Sequence, residues 1–153
     1  MLLRELITRP DQIVVDLAAR DRWSAIEELM ATLVEVAHIP PNLEAAVAGA
    51  VRAREESMST GIGHGIGIPH APSDHVDRVQ AVLGIATHDI DFDALDKQPV
   101  RIVLLFVVPK NQFQEHLDTL ANIARILSNA ETREALLRAT TPDQVLAVIA
   151  APR

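Results

Sequence analysis

The chain has 153 residues, 48% hydrophobic and 23% charged, which is enough for a single α/β domain over residues 1–153 with its own apolar core. It has no cysteine, so disulfides, thiolate metal sites and cysteine nucleophiles are excluded, and its formal charge of −7 with 3% aromatic residues argues against nucleic acid as a partner. The longest apolar run, Ile102 to Val108, is far short of the roughly 20 residues that a membrane span needs, and "MLLRELITRP" lacks a signal-peptide layout; a cytoplasmic protein without membrane insertion is expected.

"DQIVVDL" is short and β-branched and predicts a strand. Ile26, Leu29, Met30, Leu33, Val34 and Ala37 then share one helical face, with a capping box from Ser24 to Glu27 and a stop at Pro40 and Pro41. A second helix follows Asn42, with Leu43, Ala46, Val47, Ala50 and Val51 as its stripe, and "RAREES" carries the chain out of it. "GIGIP", "VQAVLGIAT" and "VRIVLLFVV" predict three strands, the last two separated by the acidic loop "HDIDFDALDKQP". The last strand is apolar throughout, as a strand covered on both faces should be. Past Pro109 the helical period returns at Leu117, Leu120, Ala121, Ala124 and Leu127, followed by "TREALLRA" and a final helix capped by Thr141, with proline at its first position. Helices on both faces of a central mixed β-sheet, an α/β/α sandwich, is the economical architecture.

The stretch "TGIGHGIGIPH", Thr60 to His70, holds four of the chain's six glycines. Its bare backbone has two readings: amides gathered into an anion-binding concavity, or a strand whose missing side chains let another element pack closely. It is neither a Walker loop nor a "GxSxG" elbow. Pro69 fixes the backbone before His70 and ends the strand, aiming an imidazole that can attack phosphorus without a separate base. His116, in the first turn of its helix, shares a face with Leu120 and Ile123, where a second imidazole could donate to phosphoryl oxygens.

The segments "REESMSTGIGHGIGIPHA", "VLGIATHDIDF", "VRIVLLFVVPKNQFQEHLDTLANIARIL" and "LITRPDQIVVDL" together resemble the type 2 EIIA family of the bacterial phosphoenolpyruvate phosphotransferase system, the fructose, mannitol and nitrogen-regulatory group. The resemblance runs over nearly the whole chain, and its signature runs from Glu55 to the Ile-Pro-His ending at His70. It implies that His70 accepts a phosphoryl group from an HPr-type phosphocarrier protein and passes it to a IIB acceptor. It implies further that His116 steadies the phosphorylated ring, that Arg54 pairs with phosphoryl oxygens, and that Thr60 and Ser59 line the phosphate-binding loop. No metal or organic cofactor is implied. Because no HPr, IIB or membrane domain is fused to the chain, the nitrogen-regulatory branch is favoured, in which phosphorylation state selects the regulatory target.

Three departures from the family pattern stand out. Gly67 replaces the usual alanine, "HAPSDH" lacks the frequent glycine and basic residue, and His64 and His75 are extra histidines, read as loop residues. Two rival readings are a binding module with vestigial phosphotransfer and a metal hydrolase built on His64, His70 and His75, whose spacing lacks the helical pairing of "HExxH".

Overall fold

The computed structural model describes residues 1–151, so the last two residues of the expected 1–153 domain lie outside the described residues. The elements run in chain order as α1 (Leu3–Leu6), β1 (Ile13–Val14), α2 (Arg22–Ala37), α3 (Glu44–Ser57), β2 (Gly61–Gly63), β3 (Ile66–Gly67), β4 (His70–Ser73), β5 (Gln80–Ile90), β6 (Val100–Pro109), α4 (Leu117–Leu127), α5 (Ala130–Arg138) and α6 (Pro142–Ala150), with short 3-10 turns between some of them. No helix among the described residues is long and apolar enough to cross a membrane.

The sheet is mixed. Its order is β1-β5-β6-β3-β2, with β4 also on β6; β5 and β6 pair antiparallel, and β1–β5, β3–β6 and β4–β6 pair parallel. Along β6 the side chains alternate between two cores, as a period of two requires. Val103, Leu105 and Val107 join α2 and α3, while Ile102, Leu104, Phe106 and Val108 join α1, α4, α5 and α6. The uniformly apolar strand is therefore buried on both faces, and the molecule is the expected α/β/α sandwich.

Local boundaries differ from the sequence reading for identifiable reasons. The cap of α2 is Asp21, whose Oδ1 accepts from Ser24 N at 2.9 Å, so Ser24 lies inside the helix. "RAREES" does not leave α3 but forms its last turns, because Glu55 continues the buried row of Val47 and Val51. Ala46, placed on that stripe from sequence, is exposed. In α4 the buried row is Thr119, Ile123 and Leu127, so Leu117 and Ala121 face outward; the apolar count had masked the small polar residue that occupies the core.

The glycine stretch forms a hairpin in which β2 turns into β3 through His64 and Gly65, both at positive φ (58° and 76°), the geometry of a tight primed turn. Its bare face is a packing surface. A Cβ on Gly61 would lie 2.5 Å from that of Ala94, and one on Gly67 would lie 2.7 Å from the Phe92 ring. The acidic loop thus folds beneath the hairpin, with Phe92 wholly buried. At Gly67 the ring of Phe92 fills the space that the methyl of an alanine would need.

Candidate functional site

Pro69 interrupts the edge strand without ending it. Its carbonyl accepts from Phe106 N at 3.1 Å, and pairing with β6 resumes at His70, which sits opposite Phe106. That register puts the His70 ring over the Phe106 ring, with centroids 5.2 Å apart and planes 13° from parallel. Phe106 belongs to the core that α4 covers, so His70 lies on the α4 side of the sheet, as does His116 at the cap of α4.

His70 is 6% exposed, and its Nδ1 lies 2.8 Å from the Ile68 carbonyl oxygen. A carbonyl only accepts, so Nδ1 carries the proton and the lone pair of the neutral ring is on Nε2. No buried side-chain nitrogen or oxygen among the described residues lacks a hydrogen-bond partner, and Nδ1 makes the one hydrogen bond of this ring, so Nε2 is the atom that reaches solvent. Burial pushes the His70 pKa below its ordinary value of 6.5, with the Arg54 charge acting the same way; the bond to Ile68 and the Glu55 charge oppose them. A titration followed by imidazole NMR is expected to give a midpoint for His70 below 6.5, so that the nucleophilic form dominates at neutral pH. A midpoint at or above that value would contradict this electrostatic picture.

Arg54 is half-buried near the C-terminal end of α3. Its Nη1 donates to the Met58 carbonyl at 2.9 Å, and it forms no ion pair among the described residues. This cation within electrostatic reach of His70 is available to an incoming anion. His116 is also half-buried, with Nδ1 3.2 Å from Thr119 Oγ1, which leaves its Nε2 for an outside partner.

The two hydroxyls expected in the phosphate loop are engaged elsewhere. Thr60 is buried and donates through Oγ1 to Glu55 Oε2 at 2.6 Å; Ser59 Oγ donates to the Phe92 carbonyl at 2.8 Å. Both residues tie the hairpin down. Glu55, to which sequence reasoning assigned no role, is fully buried and also receives Thr60 N–H at 3.1 Å and Arg22 Nη1 at 3.4 Å. The signal was present: Glu55 falls four residues after Val51, itself four after Val47, on one helical face. Ile68 and Phe106 left no such trace, because one acts through its backbone and the other through sheet register.

His64 is exposed at the hairpin tip, and His75 is exposed beyond β4. Among the described residues no group of three His, Cys, Asp or Glu side chains is placed to hold a metal ion, so these two histidines do not join His70 in a metal site. Lys110 Nζ lies 3.8 Å from Asp74, in the turn that follows β4. A groove of about 760 Å³ runs between α2 and α3, and none of its lining residues is His70, Arg54 or His116. The histidine site offers a buried neutral imidazole with one nitrogen reaching solvent and an arginine without an ion pair among the described residues, an arrangement suited to an anionic group.

The phosphoenolpyruvate-dependent sugar phosphotransferase system EIIA 2 family model matches residues 6–151. The fructose-specific EIIA component of Haloferax volcanii is 33% identical over 94% of this chain and 92% of its own. A nitrogen regulatory protein of Pseudomonas aeruginosa is 33% identical over 97% of this chain and 96% of its own. The crystal structure of nitrogen regulatory protein IIA-Ntr from Neisseria meningitidis superposes with a TM-score of 0.86 at 28% identity, covering 96% of this chain and 98% of that one.

Proposed function

This chain belongs to the EIIA 2 family of the phosphoenolpyruvate-dependent phosphotransferase system, and from that premise we propose that it is a phosphocarrier whose His70 takes a phosphoryl group from an HPr-type protein and passes it to a IIB acceptor or a regulatory target. The observation that carries the proposal is the single free nitrogen of His70: Nδ1–H is held by Ile68, and Nε2 points out of an otherwise buried ring. In the transfer, the Nε2 lone pair forms the new N–P bond as the donor N–P bond breaks and its electron pair returns to the donor imidazole. The three phosphoryl oxygens move together, and the Nδ1 proton stays in place. Little covalent work is left to other residues, so catalysis rests on positioning and on charge stabilisation.

Arg54 supplies that charge, and His116 donates from the α4 side of the sheet. Thr60 and Ser59 serve by holding the hairpin that carries Ile68. Residues 1–153 act as one domain in this reading. Incubation with phosphoenolpyruvate, Enzyme I and HPr should yield acid-labile phosphate on His70, mapped by mass spectrometry; a folded protein that takes up none would leave the binding-module reading in its place. Losing a charge-assisted hydrogen bond costs about 1.5–3 kcal/mol, so Arg54→Gln should slow phosphoryl uptake about 10- to 100-fold. His116→Ala should slow uptake or shorten the lifetime of the phosphoprotein. Stopped-flow or quenched labelling checks both, and unchanged rates would remove these two residues from the mechanism.

We favour the nitrogen-regulatory branch, supported by the close superposition on the IIA-Ntr structure along nearly the full length of both chains. On that branch the dianionic phosphoryl group, carried on a ring that keeps its Nδ1 proton, changes which protein binds the His70 face. The test is affinity capture with phosphorylated and unphosphorylated protein: partners that differ between the two states support this branch, whereas transfer to a sugar-specific IIB with no such difference would favour the sugar branch.

A further inference from the structure

We infer that Glu55 is a positioning residue for phosphoryl donation, which keeps the Nδ1 proton on His70 while the ring carries phosphate and thereby sets the pH range in which the group can be handed on. This rests on the reading of His70 as the phosphoryl carrier. Glu55 is wholly buried, an uncommon and costly place for a carboxylate unless it is fully engaged. Its oxygens accept Thr60 N–H at 3.1 Å, Thr60 Oγ1–H at 2.6 Å and Arg22 Nη1 at 3.4 Å. The Thr60 carbonyl in turn accepts Ile68 N–H at 3.0 Å, and the Ile68 carbonyl accepts the His70 Nδ1 proton at 2.8 Å. Each residue fixes the next, so the carboxylate places the acceptor that grips the ring. The connection is one of position, because the two hydrogen bonds of Ile68 involve different peptide groups.

Chemistry explains why that grip matters after phosphate is bound. With phosphorus on Nε2 and a proton on Nδ1, the ring is an imidazolium. When phosphate leaves, the N–P electron pair stays on Nε2, and the leaving group is a neutral imidazole. If the Nδ1 proton has already gone, the leaving group is an imidazolate, a far stronger base that departs far more slowly. Donation therefore stops where Nδ1 loses its proton.

Two charges from α3, Arg54 and Glu55, act on the ring; Phe106 of β6, on which the ring stacks, is uncharged, and the half-buried His116 is at the cap of α4 on the same side of the sheet as the ring. In the unphosphorylated protein Arg54 works against a protonated ring and Glu55 works for it. Once phosphoryl oxygens neutralise Arg54, the buried Glu55 charge acts on the ring without that opposition, moderated by its pair with Arg22. A buried charge is also less screened than the half-exposed arginine.

The experiment compares wild type with Glu55→Gln, which keeps the side-chain shape and removes the charge. Isolated phosphoprotein is mixed with HPr, and the rate of back-transfer is followed from neutral to alkaline pH, with the Nδ1 chemical shift of phosphorylated His70 recorded in parallel. In Glu55→Gln the alkaline fall of the rate and the Nδ1 titration should both move down by about one pH unit, a tenfold slower transfer on that limb, with the neutral plateau preserved. Superimposable profiles, or a uniform loss at every pH with an unmoved Nδ1 titration, would overturn the inference. Fluorescence of Trp23, the chain's one tryptophan, which is stacked beneath Arg22 at 4.4 Å, reports folding. If Glu55→Gln does not fold, Glu55→Asp decides by the same readouts: a smaller shift in the same direction supports the role, and no shift removes it. Wild type that is never labelled on His70 defeats the phosphocarrier reading itself, whereas labelled wild type with matching profiles defeats only this inference.

Discussion

Replacing His70 with alanine is expected to abolish phosphoryl uptake while leaving the fold intact. The ring is small and sits on an edge strand, stacked on Phe106, so the loss of packing should be modest for a molecule with two cores. The loss of chemistry should be complete, because Thr60 and Ser59 are committed to Glu55 and Phe92, His64 and His75 are exposed on turns, and His116 acts in this reading as a hydrogen-bond donor to the phosphoryl oxygens. Intact-mass measurement after incubation with phosphoenolpyruvate, Enzyme I and HPr should show one phosphoryl group on wild type and none on His70→Ala. Retained labelling in the variant would place the acceptor elsewhere, with His116 the first residue to examine. Labelling of wild type at an acid-stable position would contradict a phosphohistidine altogether.

The largest stability effects should come from the contact between Gly67 and Phe92. A methyl group on Gly67 would meet the ring at 2.7, 2.8 and 3.0 Å, the first two closer than real Cβ atoms approach. The ring is fully buried, and its backbone carbonyl is tied to Ser59, so it has little room to give way. Gly67→Ala is expected to cost about 1–3 kcal/mol by overpacking, and Phe92→Ala about 3–5 kcal/mol by leaving a cavity. The methyl group needs the space that the ring vacates, so the double variant should be more stable than the sum of the two losses implies, by about 0.5–3 kcal/mol. Urea unfolding of the four proteins measures that coupling. Simple additivity would mean that the ring and the glycine do not compete for one space. Because Ile68, whose carbonyl holds the His70 ring, directly follows Gly67, the single variants should also perturb the His70 Nδ1 chemical shift.

Both results depend on contacts that span the chain, and this separates what was legible in the sequence from what was not. The period-two and period-3.6 patterns were enough for the two-faced β6, for the helices on either side of it, and for the Thr141 cap with its proline, because each is a local property of a short window. The Glu55 to His70 signature marked His70 as the candidate nucleophile, and the family resemblance added Arg54 as a candidate phosphate ligand. It did not reveal that Glu55 and Thr60 hold each other, since a buried carboxylate and a solvated one look alike in a run such as "RAREES".

By itself, then, the amino-acid order determined the layers of the fold, the candidate imidazole and the glycines that leave its hairpin bare. Only the tertiary structure decided what fills that bareness, which nitrogen of His70 is free, and which charges reach the ring. Those outcomes follow from the register of β4 on β6 and from a loop more than twenty residues downstream folding back beneath the hairpin. Strand register and close packing are set by the whole core finding one mutually consistent arrangement, a condition that no local window of sequence contains.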